Sequence, residues 1–260
     1  MIKLDAVVLA GGDLSPDDPL FHECPDGKRS LVDVQGKPMV QRVIDAFSDS
    51  DAVDEIIVIG LPSECGLQSS KPLHYLPDEG GIFENIRRGV QFGAQIHPER
   101  SKFITASSDI PALLPEMVDW LADSVAEDLI PLIYYTVVPQ AVMEKRFPSA
   151  GRSYVRFSDV TVCGGDLNVV DKSLFDQERT IWQRLTQTRK YPLKQAALLG
   201  LDTLVLVALH LITLDNAVKK ICKKLSLKGK ALVSPYAEIG MDADKPHQLE
   251  ILRSALGKGQ

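Results

Sequence analysis

The sequence predicts an α/β fold, a mainly parallel but mixed sheet with helices on both faces. Three observations predict it. Short, continuously apolar runs recur at 5–10, 55–60 and 102–106, as strands buried on both faces require. Stretches with helical spacing lie between them. The order β-α-β-(β)-α-β-α-β leaves right-handed crossovers between parallel strands as the simplest connection.

Asp5 to Ala10 reads as a buried strand that stops at Gly11-Gly12. A long polar loop follows from Asp13 to Arg29, and loops of this length are usually functional or disordered. Lys28-Arg29-Ser30-Leu31 and Gly36-Lys37-Pro38-Met39 bracket a short hydrophobic hairpin. Pro38 to Phe47 is a helix with proline in its first turn and Met39, Val40, Val43, Ile44 and Phe47 on its apolar side. Glu55 to Gly60 is a second buried strand and Pro72 to Leu76 a short third. Gly81 to Gln95 is a helix expected to turn Ile82, Phe83, Ile86 and Val90 inward. Lys102 to Ala106 is the next strand and runs into Ser107-Ser108-Asp109-Ile110-Pro111. Pro115 to Ala126 is amphipathic helix, and Ile130 to Val137 is strand.

The second half changes character. Tyr154–Thr161 and Cys163–Val170 are short runs around turn residues and suggest antiparallel additions. Thr180 to Leu227 is helical by pattern, broken near Tyr191-Pro192 and Gly200. Ala231 to Val233 is a last short strand, and Asp242-Ala243-Asp244-Lys245-Pro246 leads into a final helix ending near Leu256. With no repeat or low-complexity linker, one domain over 1–260 with a helical insertion at about 178–228 is the economical reading.

Bulk properties narrow the function. The 260 residues carry a net charge of −6, which argues against nucleic acid as a partner. The apolar start is too short for a signal peptide and lacks a basic leader, and the longest apolar stretch, Leu204 to Leu211, falls short of a membrane span. The four cysteines have no CxxC spacing and read as reduced thiols. A cytoplasmic protein without membrane attachment is expected. A homodimer is left open.

Candidate chemistry sits at strand ends. In an open α/β sheet, ligands bind where strands finish. Leu9-Ala10-Gly11-Gly12 lets backbone N–H groups approach phosphate oxygens, or is a tight turn with no ligand. The pattern is not G-x-G-x-x-G, so a dinucleotide fingerprint is not indicated. Lys28 could reach a triphosphate as a mobile charge, or lie solvated. Asp109 ends a buried strand beside Ser108, where a carboxylate suits a hard cation. Its alternative is to cap the helix at Pro115. Asp242 and Asp244, two apart in extended chain, point the same way, and Asp244 also suits helix entry. Gly81 and Asn85 open a helix, with donor and acceptor on the Asn85 amide. Cys163-Gly164-Gly165-Asp166-Leu167-Asn168 could form a polar wall or a plain β-turn.

LAGG, a loop, KRSLVDVQGKPMVQRVI and a later strand ending in SSDIP together resemble the MobA-like NTP transferase, or nucleotidyltransferase, superfamily. That resemblance implies a three-layer, Rossmann-like sheet of the nucleotide-diphospho-sugar transferase type with a C-terminal helical lobe. It implies transfer of an NMP group from an NTP to a small phosphorylated or hydroxylated acceptor such as a sugar phosphate, with Mg²⁺ as cofactor and pyrophosphate released. By the same resemblance Leu9, Ala10, Gly11, Gly12, Gly81, Asn85 and Ser108 bind the nucleotide, Lys28 contacts its phosphates, and Asp109 and Asp244 hold the metal, with Asp242 second to Asp244. The sequence departs from the family in its loop: 13–27 is acidic and holds no arginine, and Arg29 is the nearest substitute. Two rivals stay open. A glycosyltransferase normally carries an internal D-x-D, whereas here D-x-D falls near the C-terminus. A non-catalytic nucleotide sensor would explain the missing loop arginine.

Overall fold

A computed structural model describes residues 2–24, 27–175 and 201–257. Strand β1 (Leu4–Leu9) is followed by a small hairpin of β2 (Asp33–Val34) and β3 (Lys37–Pro38) and by helix α1 (Met39–Asp49). Next come β4 (Val53–Ile59), β5 (Leu73–Leu76), α2 (Ile82–Ile96), β6 (Lys102–Ser107) and α3 (Pro115–Ala126). Then follow β7 (Ile133–Pro139), α4 (Gln140–Arg146), β8 (Val155–Arg156), β9 (Thr161–Gly164) and β10 (Leu167–Asp171). The last elements are α5 (Leu201–Ala208), α6 (Leu214–Leu225), β11 (Gly229–Val233) and α7 (Pro246–Gly257).

Among the described residues the main sheet runs β5-β4-β1-β6-β10-β7-β9-β8, with β11 also beside β7. Its first four strands are parallel: β1 pairs with β4 on one side and β6 on the other. The chain therefore winds outward to β5 and returns to the far side of β1, which puts the topological switch point between β1 and β6. The antiparallel additions fall where the sequence suggested, but β10 is not an edge. It lies between β6 and β7 and pairs antiparallel with both.

β1 is buried on both faces because both faces are covered. On one, Ala6 and Val8 pack with Val40, Val43 and Phe47 of α1 and Val118 and Leu121 of α3. On the other, Val7 packs with Ile57, Phe103 and Val90 of α2. The inward register expected of α2 is corrected at its start. Ile82 is 56% exposed, and Asn85 and Gly89 are buried in its place. Phe83 is half-buried and meets Phe175 with ring centroids 5.4 Å apart, so the apolar stripe begins one residue later. The sequence reading also missed α4, a seven-residue helix too short to declare itself by periodicity. Of the helical insertion, α5 and α6 are described. The predicted breaks near Tyr191-Pro192 and Gly200 lie outside the described residues. No helix among the described residues is long and apolar enough to cross a membrane.

Candidate functional site

The two strands flanking the switch point deliver the two main motifs to one place. The Ser108 N–H donates to the Leu9 carbonyl at 3.2 Å, so the end of β6 is tied to the end of β1. Beyond Leu9 the chain is held from below: the Ala10 N–H donates to the Ile59 carbonyl at 2.8 Å, and the buried Ser30 hydroxyl donates to the Ala10 carbonyl at 3.1 Å. Gly60, at φ +95°, lies directly under Gly11, and a Cβ there would collide with the Gly11 backbone. On its other side Gly11 faces Asp78. A side chain at Gly11 would come within 2.6 Å of Asp78 Oδ2. Gly12, at φ +125°, faces open space.

Asp78 belongs to the loop leading into α2, and Asn85 organises that loop. Its Oδ1 accepts from the Glu79 N–H at 2.8 Å and its Nδ2 donates to Asp78 Oδ1 at 2.9 Å. Asn85 thus holds an acidic rim over the glycine turn, with Gly81 as the residue before α2. The Asn85 amide and the Gly80 N–H hold the Asp78 carboxyl below its ordinary range, although burial opposes them.

Asp109 does not cap α3. Leu114 occupies the cap position and no side chain bonds there. Instead the Asp109 carbonyl accepts from the Ala243 N–H at 2.9 Å, which pulls the 242–244 segment against the end of β6. The two acidic motifs, far apart in sequence, are thereby on the same side of the molecule. Burial pushes the Asp109 carboxyl up to about 6; Asp242 and Asp244 add to the rise, while a Ser107 hydrogen bond and Arg29 oppose it. One Asp109 oxygen, Oδ1, is buried and has no hydrogen-bond partner.

Two cations come from the segment after the acidic loop. Lys28 pairs with Asp13 at 2.5 Å across an isolated antiparallel bridge. Arg29 forks: one nitrogen meets Asp18 at 2.6 Å and another meets Asp244. Burial works against the Arg29 charge, but Asp18, Asp244 and Asp109 outweigh it and hold the guanidinium above its usual range. Arg29 therefore reaches the carboxylates beside Asp109 from the end of the acidic loop.

Sequence reasoning missed Arg152. It follows Gly151 at φ +68° and pairs with Asp242, and its Nη2 lies 3.9 Å from Asp166 Oδ2. No spacing rule announces it, because it meets Asp242 only through the fold. Asp166 keeps a third of its side chain open, yet its Oδ2 is buried and, the Arg152 ion pair aside, has no hydrogen-bond partner. Burial pushes this carboxyl up to about 7; Asp109 and Asp242 reinforce the shift and Arg152 opposes it. Burial likewise raises Asp242, though Arg152 holds against it.

Among the described residues no group of three or more His, Cys, Asp or Glu is assembled tightly enough to hold a metal by itself. Mg²⁺ does not need such a cage, since it commonly takes one or two carboxylates and fills its shell with phosphate oxygens and water. The orphaned, buried Asp109 Oδ1 fits that chemistry; Asp244 is near enough to raise the Asp109 carboxyl, and one of its oxygens is held by Arg29.

Residues 6–142 match the MobA-like NTP transferase domain family. Among solved structures the chain is similar to a hypothetical transferase from Thermus thermophilus, at 31% identity and TM-score 0.82, covering 95% of this chain and 100% of that one. It is also similar to a CMP:2-keto-3-deoxy-manno-octonic acid synthetase complexed with CTP, at 14% identity and TM-score 0.61, over 99% and 100% of the two chains. A 4-diphosphocytidyl-2C-methyl-D-erythritol synthase from Anaerococcus prevotii matches at 11% identity and TM-score 0.57, over 98% and 96%. No curated protein sequence matches the chain significantly.

Proposed function

The chain belongs to the MobA-like NTP transferase family and is a nucleotidyltransferase-type domain; from that premise we propose that it transfers the NMP group of an NTP to a small hydroxylated or phosphorylated acceptor. The observation that carries this reading is the meeting of Gly11-Gly12, Asp109 and Asp244 at the switch point of the sheet. The Gly11 and Gly12 amides face the polyphosphate. Lys28 turns from Asp13 to the departing pyrophosphate. Asp109 and Asp244 would hold Mg²⁺, which supplies charge neutralisation and alignment when bound. Gly81 and Asn85 set the base-side rim and Ser108 the floor beneath the phosphates. The acceptor oxygen attacks the α-phosphorus in line, and pyrophosphate leaves.

Thermal shift with each common NTP and Mg²⁺ tests binding, since a ligand of the native state raises the melting temperature. Pyrophosphate release then tests transfer. Lys28→Ala removes a charge-assisted contact of about 1.5–3 kcal/mol. The expected result is a roughly 10- to 150-fold loss of kcat/KM with the fold intact. An unchanged rate would remove Lys28 from the site.

The sensor reading retains one specific support: Lys28 and Arg29 are already neutralised by Asp13 and Asp18. NTP binding with no pyrophosphate release across a panel of alcohols and sugar phosphates would favour it.

A further inference from the structure

Three buried side-chain polar atoms lack a hydrogen-bond partner among the described residues: Asp109 Oδ1, Arg152 Nε and Asp166 Oδ2. All three belong to the site above. Buried polar groups are nearly always paired, so such a cluster asks for a ligand. Asp109 Oδ1 is used by the nucleotide reaction. The other two are left over, and they are complementary: the guanidinium nitrogen can only donate, and an ionised carboxylate can only accept. They belong to groups that approach within 3.9 Å of each other. A hydroxyl is the small group that serves both, because its oxygen accepts while its hydrogen is donated. A phosphate dianion offers acceptors alone, so it would meet Asp166 without like-charge repulsion only while that carboxyl holds its proton.

Gly164 borders both this corner and an apolar space that neither Arg152 nor Asp166 lines. Its carbonyl accepts from Arg152 Nη2 at 3.5 Å. Its Cα faces Tyr135, whose hydroxyl would lie 2.5 Å from any Cβ placed there. Gly164 and Tyr135 both line a cavity of about 390 Å³ between β7, β9, β11 and α6, whose other walls include Val162, Leu214, Val218 and Ile221. That volume lies within the range of small-molecule sites. Tyr135, Lys230 and two cysteines aside, the walls are hydrocarbon, so a sugar-like body would lose most of its hydrogen bonds there.

We propose that the acceptor is an alcohol with an apolar body, its hydroxyl held between Arg152 and Asp166 and its body in the cavity against Val162 and Val218. This rests on the nucleotidyl-transfer reading above. The hydroxyl oxygen bonds to the α-phosphorus, the α–β phosphoanhydride bond breaks with its electron pair leaving on pyrophosphate, and the hydroxyl proton passes to Asp166. The products are the NMP ester of the alcohol and pyrophosphate.

Equilibrium dialysis of the full chain with geraniol, geranyl monophosphate and glycerol tests the proposal, and NTP-induced thermal shift runs beside it. Geraniol is expected to bind at least about tenfold more tightly than the other two, a difference of about 1.4 kcal/mol. Val218→Trp, which fills the cavity, should erase that preference while the NTP shift persists. Asp166→Ala should weaken geraniol by about tenfold or more. Geraniol binding no tighter than glycerol in the wild-type protein overturns the proposal whatever the variants do. Equal binding of the phosphate overturns the hydroxyl assignment, and an indifferent Asp166→Ala means that ordered water alone meets the two orphan atoms. Loss of the NTP shift in the wild-type protein would instead overturn the underlying nucleotidyl-transfer reading.

Discussion

Asp109→Asn is expected to abolish pyrophosphate release and at the same time to make the protein more stable. The first half follows from position. Asp109 is the carboxylate at the end of β6, tied to the glycine turn through Ser108 and to Asp244 through Ala243. An amide there neither holds a divalent cation as an anion does nor offsets phosphate charge. A fall of roughly a thousandfold or more is expected, since charge stabilisation of this kind is worth several kcal/mol. The second half follows from burial. The folded protein holds the Asp109 proton with a pKa of about 6, above the unfolded value of about 3.9. The carboxyl's contribution to stability is fully present below the unfolded value and is lost as pH rises through about 6. The lost amount is roughly 2–3 kcal/mol at neutral pH. The Asn variant escapes that loss, so its melting temperature should match the wild type near pH 4 and exceed it by several degrees at pH 7. Asp166 should also lose its proton more readily in the variant, because the Asp109 charge is one of the causes holding it up. Scanning calorimetry at both pH values with a pyrophosphate assay reads all of this. Full activity in the variant, or destabilisation at pH 7, would remove Asp109 from the assigned role. A gain in stability joined to a loss of function is the usual mark of a residue kept for chemistry.

The parts legible in the sequence were those set by local pattern. β1, β4, β6, α1 and α3 are continuous apolar runs or regular helical stripes, and each stands where periodicity put it. The glycine turn and Asp109 were visible because they end such strands. Asp244 was visible because it precedes a proline-led helix. What stayed hidden depends on meetings across the chain. β10 looks like any short antiparallel run, and only its pairing with both β6 and β7 places it in mid-sheet. Arg152 looks like a surface arginine after a glycine, and only the fold brings it to Asp242 and Asp166. Asn85 was singled out by its spacing after Gly81, but its amide is used in holding the Asp78 loop. What the fold shows for Asn85 is the placement of Asp78 over Gly11. Ile82 was misplaced because the stripe of α2 was started one residue early, before Phe83.

Gly60→Ala should be the most destabilising single methyl group in the nucleotide half of the protein. Two costs add. At φ +95° an alanine is strained by about 1–3 kcal/mol. Its Cβ would also strike the Cα and N of Gly11, which are main-chain atoms with no rotamer to escape into. Gly11 has the Asp78 carboxylate beside it, which a side chain there would meet at 2.6 Å, so a shift of the turn has to displace that carboxylate as well. Gly60 cannot move down, since its N–H is bonded to the Leu76 carbonyl at 2.9 Å. A total near 3–4 kcal/mol is expected, about the limit of what single substitutions usually cost. That corresponds to a fall of roughly 6–16 °C in melting temperature for a chain of this size. Gly66→Ala is the control. Gly66 sits at φ +70° with nothing within 4 Å of an added Cβ, so it carries the strain without the collision and should cost about 1–2 kcal/mol. The difference between the two variants isolates the pressure of β4 on the glycine turn. If that pressure shapes the turn for phosphate, Gly60→Ala measured below its own melting point should also give no NTP-induced shift, while Gly66→Ala gives the wild-type shift. Equal melting temperatures for the two variants, with NTP binding retained in both, would mean that the turn is free to move and that its close seat on Gly60 does not set the phosphate site.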